Sequence, residues 1–295
     1  MPTRIATLTS TRQLIKKHGL HVKKGLGQHF VIDNRILELM VESARVTEVD
    51  IVVEIGPGVG CLTQHLAEKA GWVIAVEVDR SLEPVLNEAL GGYKNIGFVW
   101  GDILRTDLDA VVAEYRGTSV EQILPYKVVA NLPYYITTPI IMTILEKHVR
   151  AQLLVVMIQK EVAERITARP GSKDYGVLSI AAQYYAETTL VSLVPPTAFF
   201  PLPEVESAII KLERRSVPPV KVIDENLFFQ IVRRSFGQRR KTLLNSLGGL
   251  GMGISKEMLR EVLEQVGIDS QRRAETLDLE EFAVLTNTLA PLVIK

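Results

Sequence analysis

The four residues Asn131-Leu132-Pro133-Tyr134 close a short β-rich run, Tyr126 to Ala130. A side-chain amide, a proline-fixed main chain and an aromatic face suit one problem, the alkylation of a planar exocyclic amine. Such an amine is a poor nucleophile because its lone pair is delocalised into the ring. Two acceptors, the Asn131 side-chain oxygen and a main-chain carbonyl at Leu132 or Pro133, would hold its N–H bonds. They would favour the pyramidal geometry needed for in-line attack on a methyl sulfonium. Pro133 fixes the loop, and Tyr134 offers a face on which a target base can stack. Catalysis of this kind is positioning and electrostatics. No strong base is needed, because the alkylated amine is acidic and loses its proton after transfer. An ordinary strand-end turn would also use Asn and Pro, but not in this combination after two cofactor signals.

Those signals lie upstream. Glu54-Ile55-Gly56-Pro57-Gly58-Val59-Gly60 follows a strand and precedes a helix, and its glycines allow a tight turn and close approach to a ligand. Glu77 ends the next strand, placed to accept hydrogen bonds from two ribose hydroxyls. The spacing alone also fits a dinucleotide. The tighter G-x-G-x-G form, with Pro57 inside it and an acid before it, favours S-adenosylmethionine over NAD. Asp102 ends a third strand, where it could accept from an adenine amino group while Ile103 packs on the ring. A turn-capping Asp is the plain alternative.

Elements must position these groups at one edge. Strands over 52–55, 72–78, 95–100, 126–130 and 153–158 alternate with helices over 61–70, 81–90 and 140–147, so an α/β, doubly wound, Rossmann-like domain is expected. Thr138 reads as an N-cap with Pro139 at the first helical position. Two later strands, 188–194 and 207–212, read as an antiparallel edge pair. Ser216 to Val220 reads as a linker to a small all-α domain, with helices over 227–236, 239–247, 256–266 and 279–289. The expected division is residues 1–30 as a basic extension with a donor-contacting loop, 31–215 as the catalytic domain, and 216–295 as a helical RNA-binding domain.

Composition narrows the class. The 295 residues are 47% hydrophobic and 23% charged, with 34 basic and 34 acidic side chains, an ordinary globular balance. No apolar run approaches a membrane span, and the N-terminus lacks the apolar core of a secretory signal. The single cysteine, Cys61, fits a reducing cytoplasm, and the five histidines lack metal-ligand spacing, so no metal is expected. Zero net charge would argue against nucleic acid, but the charge is uneven. Residues 1–30 carry six basic groups and no acid. Phe228 to Leu247 carries five basic groups and no acid. A local stripe binds phosphate whatever the whole-chain sum. Arg233, Arg234, Arg239, Arg240 and Lys241 are therefore candidate RNA-backbone contacts, with Lys23 and Lys24, beside Lys16 and Lys17, as a second patch.

The chain resembles the ribosomal RNA adenine dimethyltransferases, specifically the bacterial small-subunit type, from about Lys23 to about Leu289. The resemblance rests on Lys24-Gly25-Leu26-Gly27-Gln28-His29-Phe30, on the glycine turn, Glu77 and Gly101-Asp102, on Asn131 to Tyr134, and on Phe199-Phe200-Pro201-Leu202-Pro203-Glu204-Val205-Glu206-Ser207. It implies a class I S-adenosylmethionine-dependent methyltransferase acting on two adjacent adenosines in the 3′-terminal hairpin loop of small-subunit rRNA, each methylated twice, with a role in assembly of the immature small subunit. It implies that His29 and Val31 contact the donor, that Gly56, Gly58, Glu77, Asp102, Ile103 and Asn131 complete the donor pocket, and that Tyr134 and Phe199 sandwich the target base. A cytoplasmic monomer is expected. His29 and Val31 stand where the family more often has Asn and Leu. Leu132, where the large-subunit enzymes usually have Ile, and the long helical C-terminal part favour the small-subunit enzyme over that relative. A non-catalytic RNA-binding assembly or transcription factor on the same fold, and a small-molecule amine methyltransferase, are the rival classes.

Overall fold

A computed structural model describes residues 4–147, 149–238, 240–248 and 254–293, without the side chain of Lys24. The chain forms two compact units, Met1–Ala163 with Thr188–Arg214, and Glu164–Glu187 with Arg215–Lys295.

In the first unit, helix α1 (Leu8–Lys17) precedes strand β1 (Phe30–Val31) and helix α2 (Asn34–Ser43). Next come β2 (Ile51–Ile55), α3 (Cys61–Ala67), β3 (Trp72–Glu77), α4 (Glu83–Leu90), β4 (Ile96–Trp100), α5 (Leu108–Arg116), β5 (Tyr126–Asn131), α6 (Thr137–Glu146) and β6 (Ala151–Gln159). Helices α7 (Lys160–Thr167) and α8 (Val177–Tyr185) precede β7 (Ala186–Val194), β8 (Phe199–Phe200) and β9 (Ser207–Arg214).

The seven-stranded sheet has the order β4-β3-β2-β5-β6-β9-β7. Pairing is parallel from β4 to β6, and β9 runs antiparallel to β6. All five residues of β2 are buried, as a central parallel strand covered on both faces requires. The order reverses between β2 and β5, and ligands of such sheets sit there, beyond the carboxyl ends of the strands. Both later strands exist where expected, and β9 lies between β6 and β7. A separate two-residue ladder pairs Phe30 with Phe200 and Val31 with Phe199.

Residues 4–30 make specific contacts with the rest of the first unit. Thr7 caps α1 through Ser10 N. Thr11 is fully buried and donates to Ile5 O. Arg4 pairs with Glu68, and Lys17 and His18 both meet Glu88 on α4. Helix α6 begins at Thr137, one residue before the expected cap, because the Thr137 hydroxyl donates to Pro133 O and fastens the helix start to the loop before it.

The second unit contains α9 (Glu225–Phe236), α10 (Leu243–Leu247), α11 (Lys256–Gln265) and α12 (Leu279–Val293). It also takes in residues 164–187, upstream of the expected boundary at 216. Side-chain contacts explain this. Tyr184 stacks on Phe228 at 5.3 Å and Tyr185 on Phe229 at 5.7 Å, and both tyrosine hydroxyls donate to Glu225. Gly171 N donates to Glu275 O at 2.7 Å. Helix α10 covers only the last part of the helix expected over 239–247, since Thr242 takes an extended N-cap conformation. Between α10 and α11 the sequence also reads as a glycine-rich turn, Gly248 to Gly253, which lies outside the described residues except for Gly248. Among the described residues, no helix is long and apolar enough to cross a membrane, and no cluster of His, Cys, Asp and Glu is placed to hold a metal.

Candidate functional site

A cavity of about 240 Å³ opens at the carboxyl ends of β2, β3, β4 and β5. His29, Val31, Gly56, Gly58, Glu77, Asp102, Ile103 and all four residues from Asn131 to Tyr134 line it. One site therefore gathers groups spread over more than a hundred positions.

The glycine turn forms the floor. Gly56 and Gly58 have φ of +71° and +58°, a region costly for other L-residues. A Cβ on Gly58 would stand 2.9 Å from Phe30. A Cβ on Gly56 would meet no protein atom within 4 Å, so that backbone faces open space in the cavity. Glu77 is 6% exposed and accepts from Asp79 N at 2.8 Å. Burial raises its carboxyl above the ordinary value, against the opposing effect of backbone N–H groups at Asp79, Gly58 and Val78. Glu54 is fully buried, and its Oε2 has no hydrogen-bond partner. Burial, reinforced by the charge of Glu77, pushes Glu54 up to about 8. Asp102 lines the cavity, and its Oδ1 accepts from Leu104 N, the turn-capping bond given as the plain alternative.

The loop from Asn131 to Tyr134 is held from both sides. Pairing of Asn131 with Met157 and the bond from Leu132 N to Met157 O continue the sheet into the loop. Asn131 Nδ2 donates to His29 O at 2.9 Å. A main-chain carbonyl can only accept, so the amide orientation follows, and Oδ1 is the end left for a ligand N–H. Pro133 O already accepts from Ile136 N at 3.2 Å and from the Thr137 hydroxyl at 3.0 Å. With both its lone pairs engaged, the open choice of second acceptor falls to Leu132 O.

His29 is a junction. Its Nδ1 lies 2.8 Å from Pro201 O, which makes Nδ1 the donor, and its ring stacks on Tyr134 at 5.8 Å with planes 24° apart. The Tyr134 hydroxyl meets Ser207 Oγ at 2.6 Å, which fixes the ring while leaving it half-buried.

Three expected contacts differ. Phe199 is 1% exposed, pairs with Val31 and packs in the core; it does not line the cavity. Strand alternation sends it inward, and its neighbour Phe200 is instead half-buried under the Arg12 guanidinium. Lys23 is not free for phosphate, because its ammonium pairs with buried Asp79 at 2.7 Å. Lys17 is likewise committed to Glu88. In the second unit, Arg233, Arg234, Arg240 and Lys241 are all exposed. Arg239 and the Lys24 side chain lie outside the described residues. Residue types alone gave no role to Gln28, Glu54, Asp79 or Ser207; Gln28, Glu54 and Ser207 lay inside the quoted motifs, and Asp79 two positions after Glu77.

A parallel sheet with a glycine turn after its first central strand, an acid at the end of the next and an Asn-X-Pro-Tyr loop beside both defines an S-adenosylmethionine-dependent amine methyltransferase of the Rossmann-like class. Residues 19–285 match the family model described as ribosomal RNA adenine dimethylase. "Ribosomal RNA small subunit methyltransferase A" of Moorella thermoacetica is 50% identical over 285 residues, 97% of this chain and 98% of that one. The protein of the same name from Alkaliphilus oremlandii is 48% identical over 288 residues, again 97% and 98%. Among solved structures, a dimethyladenosine transferase from Plasmodium falciparum superposes with a TM-score of 0.74 at 25% identity, covering 89% of this chain and 98% of that one. The 23S rRNA methyltransferase ErmE does so at 0.68 and 26%, covering 88% and 99%. The chain belongs to the ribosomal RNA adenine dimethylase family.

Proposed function

We propose that this protein uses S-adenosylmethionine to dimethylate N6 of two adjacent adenosines in the 3′-terminal hairpin loop of small-subunit rRNA, acting on immature small subunits in the cytoplasm as a monomer. The observation that carries the reading is the pinned Asn131 amide, which leaves Asn131 Oδ1 and Leu132 O as a pair of acceptors.

The cavity fits the donor. Gly56 opens a space that a Cβ would narrow, Glu77 presents a buried carboxylate for ribose hydroxyls, and Glu54 Oε2 is a buried polar atom without a protein partner. Asp102 and Ile103 would hold the adenine, and His29 and Val31 the donor's open side. When bound, the donor supplies an electrophilic methyl group. Everything else falls to the chain. Asn131 Oδ1 and Leu132 O hold the amine hydrogens and turn its lone pair toward the donor. Tyr134 supports the base, its ring held by Ser207 and His29. Exposed Arg233, Arg234, Arg240 and Lys241 would bind RNA phosphates; Arg239 and Lys24 are assigned there by sequence alone. The base-stacking role given to Phe199 is withdrawn, because the ring is in the core.

The deciding test is incubation with labelled S-adenosylmethionine and, in parallel reactions, immature small or immature large subunits, followed by mapping of the modified base. Dimethylated adjacent adenines in small-subunit rRNA are expected. Label confined to large-subunit rRNA would transfer the assignment to the other branch of the family, and no label in rRNA adenine would refute it.

A further inference from the structure

Asp79 stands two residues beyond Glu77, outside the cavity wall, and is unusually occupied. Its side chain is 4% exposed, yet it is not neutralised by a buried cation; Lys23 reaches it from a side chain that is 47% exposed. Asp79 Oδ1 accepts from Lys23 Nζ at 2.7 Å and from the Ser81 main-chain N and hydroxyl at 3.1 and 2.6 Å. Oδ2 accepts from Gln28 Nε2 at 3.0 Å. The segment closes on itself as well, since Lys23 N donates to Gln28 Oε1 at 2.9 Å. Both ends of the stretch 23–28 are thus fastened to one carboxylate.

That stretch leads into one wall of the cavity. Leu26, Gly27, Gln28, His29, Phe30 and Val31 all line it. The residue immediately after Gln28 supplies the carbonyl that orients Asn131. On the other side, the main-chain N–H of Asp79 donates to Glu77 Oε1. One residue therefore touches the donor-binding acid through its backbone and the covering segment through its side chain. Burial alone would raise the Asp79 carboxyl, but Lys23, Ser81 and Gln28 more than offset this and hold it below its ordinary value. A charged, fully engaged carboxylate in that place loses much if either partner leaves.

We propose that Asp79 is a positioning residue whose carboxylate clasps residues 23–28 through Lys23 and Gln28, closing the donor cavity and setting His29 O, which in turn aims Asn131. This rests on the functional reading above. The clasp acts on the fraction of molecules whose cavity is complete, and donor affinity scales with that fraction.

The test compares Lys23→Met, Lys23→Arg and Asp79→Asn with the wild-type protein. Donor dissociation constants are measured by calorimetry, amide exchange is followed along the chain, and thermal midpoints are recorded. Lys23→Met is expected to raise the donor dissociation constant by about 3- to 10-fold and to speed exchange at residues 25–30 well beyond any change elsewhere in the chain. Lys23→Arg keeps the cation and restores both readouts. Asp79→Asn shows the larger change, and adding Lys23→Met to it adds little, because both act through one contact. Wild-type values of donor affinity and of exchange at 25–30 in Lys23→Met and Asp79→Asn would overturn the clasp. So would a freed segment with donor affinity unchanged, or a uniform rise in exchange along the whole chain. Failure of the wild-type protein to bind donor would sink the functional reading instead, leaving exchange protection at 25–30 to decide the clasp itself.

Discussion

Asn131 Nδ2 donates to the main-chain oxygen of His29 at 2.9 Å, joining residues 102 positions apart. The bond uses only the backbone of His29, so the family's more frequent Asn at this position and the His found here can present the same carbonyl. It also decides which end of the Asn131 amide is left for the cavity. Asn131→Ala should lower methyl transfer by about 10²–10³-fold, while calorimetry still detects donor binding. Wild-type transfer rates would remove the catalytic role.

Tyr134 is expected to work through its ring. Tyr134→Phe loses the bond to Ser207 but keeps the face, and should retain activity within about fivefold, since a net hydrogen bond is worth about 1 kcal/mol. Tyr134→Ala loses the face and should cost about 1–3 kcal/mol in kcat/KM for RNA. Equal losses in the two variants would assign the effect to the hydroxyl.

Gly58→Ala combines two penalties. Its φ of +58° disfavours a side chain by about 1–2 kcal/mol, and the new Cβ would lie 2.9 Å from Phe30 beside the donor cavity. Donor affinity should fall at least about tenfold, with a lowered thermal midpoint. Unaltered donor binding by calorimetry would show that the turn does not cradle the donor.

Glu54 gives a pH signature. Its carboxyl moves from an ordinary 4.5 in the unfolded chain to about 8 in the fold. Between those values the folded protein keeps a proton that the unfolded chain has released. Its contribution to stability is therefore full below about pH 4.5 and is lost as pH climbs toward 8, at up to about 1.4 kcal/mol per pH unit. Glu77 pulls the same way, and buried His65, whose value is lowered by burial, pulls the opposite way. The difference between wild type and Glu54→Gln isolates the effect. Urea midpoints from pH 5.5 to 7.5 should fall more steeply in the wild type. Parallel curves would rule out a protonated Glu54.

Arg233 and Arg234 occupy the last turn of α9, exposed and without an ion pair among the described residues. Replacing both with Ala should weaken binding to small-subunit particles and reduce the salt slope by about one per lost phosphate contact. An unchanged slope would assign them to solvent.

Much of this site was legible from residue types. Glycines need positive φ, acids at strand ends need a ligand or a turn, and Asn-Leu-Pro-Tyr poses a chemical question that few ligands answer. The alternation of strands and helices fixed the parallel sheet for the same local reasons. What stayed hidden was set by partners far away in sequence. Lys23 looks like a surface cation until Asp79 is beneath it. Phe199 looks like a stacking ring until pairing with Val31 turns it into the core. The choice between Leu132 O and Pro133 O needed the Thr137 hydroxyl, whose local contact only the helix start reveals. Residues 164–187 carry no linker composition, so their transfer to the helical unit could only be seen from Tyr184 and Tyr185 against Phe228 and Phe229.

That last arrangement bears on how such a protein can be inherited and made. The helical unit is sewn from two stretches separated by β7, β8 and β9. A single recombination joint near residue 216 would deliver α9 without the tyrosines it packs on, so that joint does not carry the helical unit as one cassette. During synthesis, α8 leaves the ribosome well before α9, and its aromatic face must wait for the later stretch. Until then Tyr184 and Tyr185 lack the rings that cover them in the fold.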